Sequence, residues 1–534
     1  MQRSISMARE IFRRLPVVLL FASLGCAGAP DAADFKASAG TGTSSGGGGG
    51  NGPLVVGAGS GAAGGVLTGA GIDGGGSVPG QSVGVAQNCP SGGSTAISGT
   101  VYDPALEDPL YNITVYVPVS ATLPDLASGA SCNACASLYP PVRSSAVTDP
   151  TGHFVIPNAP WGANIPLVVQ TGKWRMEFML PSVTACKDNP QPDKTLRLPR
   201  NSTEGHLPDM AISTGGADSL ECLPLRMGLD ASEYAAGAAA TGHIHIFTGY
   251  NGASTVPASP ASYQSLWDST QDLMKYDLTL LSCEGQETHP LTVQNQQSMV
   301  DYTAAGGRVF ASHFHYAWFN TGPFGADNLA RWTTGAQEID DTRSFPGDVI
   351  TTLASGVTFP EGVALQQWLG TVMALTNGQL PIWFARHNAD VGPMNQPPSQ
   401  PWIELDPSVG PRNAGATQYF SFDTPIGASQ ACGRVVYSDL HVSGGPNADE
   451  PGVAPDYPQM PPTRGMRGGG GGMFGGGMFG GGGSATNNIV PTGCASHPLT
   501  PQEKALEFMI FDLSSCLIPV GKTAVPATPP PILH

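Results

Sequence analysis

Between residues 95 and 212 the apolar positions alternate. Ala96-Ile-Ser-Gly-Thr-Val-Tyr-Asp103 and Asn112-Ile-Thr-Val-Tyr-Val-Pro118 carry apolar side chains at a spacing of two. That is the period at which a strand turns one face to a core. Asn164-Ile-Pro-Leu-Val-Val-Gln170 and Arg175-Met-Glu-Phe-Met-Leu180 supply further strands. In Ala146-Val-Thr-Asp-Pro-Thr-Gly152-His-Phe-Val-Ile156 a turn sequence separates two apolar stretches, which predicts a hairpin. Short strands divided by Gly, Pro and Asp turns predict a β-sandwich over 95–212.

From 213 to 519 the period changes. Thr241-Gly-His-Ile-His-Ile-Phe247 reads as a strand, and 262–274 as helical. Tyr276-Asp-Leu-Thr-Leu-Leu-Ser282 is nearly continuous in apolar residues, as in a parallel strand buried on both faces. A helix over 291–305 closes on Gly306-Gly307, and Arg308-Val-Phe-Ala-Ser312 is the next strand, which completes a βαβ unit. Gly433-Arg-Val-Val-Tyr-Ser-Asp-Leu440 is a later strand. Thr500-Pro-Gln-Glu503 opens a last helix with a capping box. Alternating strands and helices predict an open, mostly parallel α/β sheet of the flavodoxin-like kind. Residues 320–415 match no pattern.

Composition adds the connections. The 534 residues include 71 Gly and 49 Pro, unevenly placed. Residues 26–94 are dominated by Gly, Ser, Ala, Thr and Val and predict a flexible tether. Residues 446–490 contain the Gly465–Gly483 repeat of Gly-Gly-Met-Phe-Gly and predict a disordered insertion; 520–534 form a Pro-rich tail. The net charge is −17 and no basic run follows the N-terminus, which excludes nucleic-acid binding. Ten cysteines suit an oxidising compartment. With Cys26 set aside nine remain, an odd number, and Cys283 is the candidate unpaired thiol. Cys132-Asn-Ala-Cys135 predicts disulfides, with a zinc half-site or a redox pair as alternatives.

At the N-terminus, Arg3, Arg9, Arg13 and Arg14 precede Leu15-Pro-Val-Val-Leu-Leu-Phe-Ala22, then Ser23-Leu-Gly-Cys26. A basic segment, an apolar run too short to span a bilayer and small residues at a cut mark a secretory signal over 1–25. Ending on Gly-Cys, it resembles a bacterial lipoprotein signal, with Ser23 where that motif usually has Leu. The resemblance implies lipidation of Cys26 and a place at the outer membrane or cell surface of a bacterium. Ordinary cleavage nearby is the alternative.

Two further resemblances concern the folded regions. Ser98-Gly-Thr-Val-Tyr, Thr148-Asp-Pro-Thr-Gly-His-Phe and Pro160-Trp-Gly-Ala-Asn-Ile-Pro-Leu are similar to the carboxypeptidase regulatory-like, transthyretin-like domain. That implies an accessory sandwich and no peptidase. Tyr276-Asp-Leu-Thr-Leu-Leu, Met299–His313 and Cys432–His441 together resemble the trehalose-utilisation-protein-like branch of the class I glutamine amidotransferase-like fold. Amidotransferases of that fold place a nucleophilic Cys in a Gly-x-Cys-x-Gly elbow. Ala311-Ser-His-Phe-His315 stands there instead, so glutamine hydrolysis by that route is not expected.

In open α/β sheets ligands bind beyond the carboxyl ends of the strands. If the strand continues, His313 and His315 point to one side, and Asp439 and His441 repeat the spacing. These four residues suit zinc or iron, or else are structural histidines in a core. Cys283 beside Glu284 is a candidate thiol catalyst, with an inert buried thiol as the alternative. Tyr316, Trp318 and Trp332 are a candidate platform for a sugar ring. His243 and His245 read as a core or sheet-face pair. Three functions therefore compete: an envelope protein binding a glycan or another envelope protein, a metal-dependent hydrolase or other sugar-acting enzyme, and a thiol enzyme.

Overall fold

The computed structural model describes residues 89, 93–132, 138–239, 241–250, 256, 260–287, 291–340, 342–442, 489–491, 494, 497–518 and 522. Cys26, Cys135, most of the 26–94 tether, the Gly465–Gly483 tract and most of the Pro-rich tail lie outside these residues. Within them the regular secondary structure is mostly strand, arranged in several sheets.

The first region builds two sheets. One joins His153–Ile156, Ala96–Tyr102 and Asp188–Pro190, with Leu196–Arg197 also on Ala96–Tyr102. The other runs Val142–Val147, Thr114–Pro118, Gly162–Thr171, Trp174–Val183, Gly205–His206. Ile97, Val101 and Phe154 of the first and Val115, Leu167 and Val169 of the second belong to one core. The hairpin expected at Asp149–Gly152 does not form a ladder. Its turn bonds are present, with Gly152 N donating to Asp149 O at 2.8 Å, but Val142–Val147 pairs with Thr114–Pro118 and His153–Ile156 with Ala96–Tyr102. The turn is a corner between sheets. A ladder hairpin joins Gly162–Thr171 to Trp174–Val183 instead. Its turn residue Gly172 has φ +52°, and a Cβ there would strike the Ser514 carbonyl.

The second region is one 11-stranded sheet. Six parallel strands run in the order Tyr234–Ala236, Ile244–Thr248, Met210–Ser213, Leu278–Leu281, Arg308–Ser312, Gly433–Ser438. An antiparallel half continues through Thr417–Thr424, Ser399–Leu405, Phe345–Val349 and Leu380–Ile382. Residues 320–415, which matched no pattern, supply most of that half. Ser399–Leu405 is buried at all but one position and Thr417–Thr424 likewise, so neither shows the alternation of a half-exposed strand. Met210–Ser213 lies between two parallel neighbours, so a boundary after 212 cuts through a strand of the large sheet.

Local chemistry sets the helices. Val293–Ala304 starts at Thr292, whose side chain and that of Asn295 form a capping box. Gly306 follows at φ +119°, where a Cβ would meet the Ser131 backbone. The expected 262–274 helix is two short ones, Gln264–Trp267 and Thr270–Leu273, because the Ser269 hydroxyl accepts from Asp272 N and starts a second helix. Pro501–Ser514 opens with the capping box read from Thr500 and Glu503.

That last helix ties the two regions. Phe511 packs edge-on to Trp174, and Phe508 stacks on Tyr111 and tilts against Trp368. The Trp368 indole donates to Pro109 O at 2.6 Å, and Lys504 pairs with Asp108 at 2.9 Å. Each large apolar side chain buried there contributes about 1.5–3 kcal/mol. The described residues, from Cys89 onward, belong to one compact unit. Disulfides join Cys89 to Cys186, Cys132 to Cys432 and Cys222 to Cys494. Cys132 therefore bonds Cys432, just ahead of the Gly433–Ser438 strand, not its Cys-x-x-Cys neighbour. Cys516 is also disulfide-bonded, and Cys283 is the free cysteine among the described residues.

Candidate Cys/His/His centre

Four parallel strands end near one another at their carboxyl edge. Asp218, in the loop after Met210–Ser213, accepts from the Ser312 hydroxyl at 2.7 Å and from Val442 N at 3.1 Å. Ala217 N donates to Cys283 O at 3.0 Å. These bonds hold the ends of the 210, 278, 308 and 433 strands together. Cys283, His313 and His441 lie there, and one ligand atom of each falls within 4.8 Å of the others.

His313 is the pivot. The strand stops at Ser312, and His313 takes φ +38° before a 3₁₀ turn, His313–Trp318. Its Nδ1 lies 3.4 Å from Cys283 Sγ and 3.1 Å from His441 Nε2. Its Nε2 lies 3.0 Å from Asn388 Oδ1. Asn388 cannot be turned round, because its Nδ2 donates to Thr333 O and Gly335 O, both at 2.6 Å. The Asn388 oxygen must therefore accept, and His313 Nε2 carries the proton. The His313 lone pair is left on Nδ1, facing the thiol and the second imidazole.

Asp439 fixes Asn388 in turn. Its Oδ2 accepts from Asn388 N at 2.6 Å and Ala389 N at 3.1 Å. Its Oδ1 lies 2.9 Å from the Tyr437 hydroxyl, which is also 2.9 Å from His313 O. Burial pushes the Asp439 carboxyl up to about 6. Burial and the Arg386 charge hold His313 down at about 3 and lower His441 as well. Burial pushes the Cys283 thiol up to about 12, although the amides of Phe314 and Gly285 favour its anion. Both imidazoles are neutral, as ligands must be, and the thiol keeps its proton unless a cation displaces it.

The structure divides the residues singled out by sequence. His313 and His441 come together, and Cys283 joins them. His315 does not: Ser312 ends the strand, and in a 3₁₀ turn residues two apart point away from each other. Its Nε2 donates to Ser282 O at 2.9 Å, and its Nδ1 accepts from the Trp318 indole at 3.2 Å. Asp439 is a support for Asn388, its oxygens turned to amides and a phenol. Glu284 is buried, accepts from Tyr250 N at 2.9 Å and is pushed up to about 8 by burial, but it stands outside the group. The aromatic platform is corrected. Tyr316 and Trp318 are each 1% exposed and offer no open face to a sugar ring, while Trp332 is half-buried and packs edge-on to Tyr437. His243 pairs with Glu233 at 2.7 Å and His245 with the Tyr276 hydroxyl at 3.0 Å, at the far end of their strand. Asn388 was missed. Its one signal is the polar run Arg386-His-Asn388 inside an otherwise apolar stretch.

No protein-family model matches the chain, and no curated protein matches it. Among solved structures, two complexes of a type II cohesin with an X-dockerin from Acetivibrio cellulolyticus align with it, an N-terminal and a C-terminal interface mutant. Each is 16% identical and covers 26% of this chain and 85% of that chain, with TM-scores of 0.15 and 0.16. At such scores the likeness carries no argument about fold or activity.

Proposed function

We propose that this is an exported bacterial envelope protein, lipid-anchored through Cys26, that binds a ligand or substrate at a metal centre formed by Cys283, His313 and His441. The accessory sandwich and the long tether suit a body held away from a membrane. Among the described residues no helix is long and apolar enough to cross one. Apart from the three-residue edge strand Tyr234–Ala236, the parallel strands 244, 210, 278, 308 and 433 follow the 2-1-3-4-5 order of flavodoxin-like sheets, and the centre sits at their carboxyl ends, where such sheets bind ligands. We read the second region as that fold on this ground.

One observation carries the metal reading. Asn388 fixes the His313 tautomer so that Nδ1 offers its lone pair to a point shared with Cys283 Sγ and His441 Nε2. A thiol catalyst needs one imidazole beside its sulfur. A second imidazole competing for the same lone pair has no part in that chemistry. Two imidazoles and a thiolate suit zinc or iron, and three protein ligands leave a position for water or a ligand. The envelope-binding and hydrolase readings both fit such a centre.

The test is elemental mass spectrometry of the full exported chain beside a Cys283→Ser/His313→Ala variant. Close to one zinc or iron per chain, absent from a variant that keeps its far-ultraviolet circular dichroism, is the expected result. Cobalt substitution should add a thiolate-to-metal charge-transfer band that Cys283→Ser removes. A wild type that stays metal-free after reconstitution would sink the reading.

A further inference from the structure

At the other end of the same strands, two arginines stand side by side. Arg308 opens its strand, and Arg434 is its register partner on the neighbouring parallel strand. Arg434 is fully engaged. Its Nε and Nη2 grip Asp423 at 2.7 and 3.3 Å, its Nη1 reaches Asp512 at 3.0 Å, and Nη2 also donates to Ile518 O at 3.0 Å. Arg308 feels the same two carboxylates only from a distance. Its Nη1 is sealed from solvent and has no hydrogen-bond acceptor among the described residues. An orphaned buried donor of a charged group costs more than an ordinary lost hydrogen bond. Burial and the Arg434 charge pull the guanidinium down to about 10, against the opposing effect of Asp423 and Asp512.

Arg308 lines a groove of about 610 Å³ that runs beside the Cys132–Cys432 disulfide. Pro397, Pro398, Phe422, Pro425 and Ile426 give it apolar walls. Asp327 and Asp423 also face it. Two acidic groups would repel a phosphate dianion, whereas a carboxylate brings a single charge and matches the guanidinium fork. We propose that this groove binds a carboxylate-bearing small molecule with an apolar body, its carboxylate held by Arg308. The site lies at the amino ends of the parallel strands, away from Cys283, and stands independently of the metal reading.

Calorimetric titration of the full chain at pH 7 with 3-phenylpropionate, its neutral amide and inorganic phosphate tests it. The acid should bind, with the amide about 10-fold weaker or more, the factor a hydrogen-bonded charge supplies. In Arg308→Met the acid should fall to the level of the amide, while Tm matches or exceeds that of wild type. Arg308→Lys keeps the charge without the fork and should fall between. Equal affinity for acid and amide, undiminished acid binding in Arg308→Met, or no acid binding at millimolar concentration would each overturn the proposal. So would tighter binding of phosphate than of the acid. A Tm loss of several degrees in Arg308→Met would also overturn it, because the guanidinium would then be holding the fold.

Discussion

At the carboxyl end of the parallel strands, neutral donors face one another: Cys283, His313 and His441 share one lone-pair contact point. At the amino end, Arg308 and Arg434 share two aspartates, and Arg434 takes both. On the two proposals above, a cation would complete the first arrangement and an anion the second. The same sheet therefore separates two kinds of polar deficit. Each is legible from who bonds to whom, and neither follows from burial alone. Helix Pro501–Ser514 spans the two ends, with Gln502 donating to His441 O at 2.7 Å and Asp512 paired with Arg434.

The amino end gives the largest expected effect. Arg434→Met strands Asp423 and the buried Asp512, and should cost about 3–5 kcal/mol. Arg308→Met, one strand away, should be neutral or stabilising. Urea unfolding of the two variants reads the difference directly. Equal losses would erase the distinction between an arginine with partners and one without.

Between the ends, the same helix meets the first region through carboxyls. Burial, with Asp108 and Glu107 adding to it, pushes Asp103 up to about 7, and Glu507 on the helix is raised further by burial and by Asp103. In the unfolded chain the Asp103 carboxyl returns to about 3.9. The native state thus holds this proton more tightly. Its contribution is complete below about pH 4 and is lost as pH rises through 7. Asp103→Asn keeps the acceptor that Glu107 N and Asp108 N use at 2.7 and 3.2 Å, and removes the titration. It should stabilise the protein at pH 7 by on the order of 2–4 kcal/mol and flatten the fall of Tm between pH 4 and 7. An unchanged slope would show that Asp103 is ionised in the native state.

Sequence legibility differed between the ends for a physical reason. The parallel strands at 278, 308 and 433 were readable because buried parallel strands are apolar runs, and the last helix because Thr500 and Glu503 form a cap. His313, His441 and Cys283 were readable because strand ends gather ligands. Their grouping was not, since it depends on the break at Ser312 that turns His315 away. The antiparallel half hid because its strands are buried on both faces. Asn388 hid with it, as a short polar run in a region without a pattern. Arg308 looked like an ordinary strand residue, and its lack of an acceptor exists only once Arg434 has claimed both aspartates.

Asn388 is where the hidden half reaches the candidate centre, and it gives the smallest effect on stability. Its amide bridges Thr333 O and Gly335 O while its oxygen orients His313. Asn388→Ala leaves those carbonyls and the His313 Nε2 proton without their partner, at a cost of about 1–3 kcal/mol. If His313 is a ligand, the variant should also bind metal about 10- to 100-fold more weakly, because the imidazole is no longer held in one tautomer and one orientation. Competition against a chelator measures the second effect and thermal unfolding the first. A stability loss with unchanged metal affinity would confine Asn388 to the fold. The carboxyl end would then no longer differ from the amino end in having its ligands positioned by a partner, and the contrast between them would reduce to the sign of the missing charge.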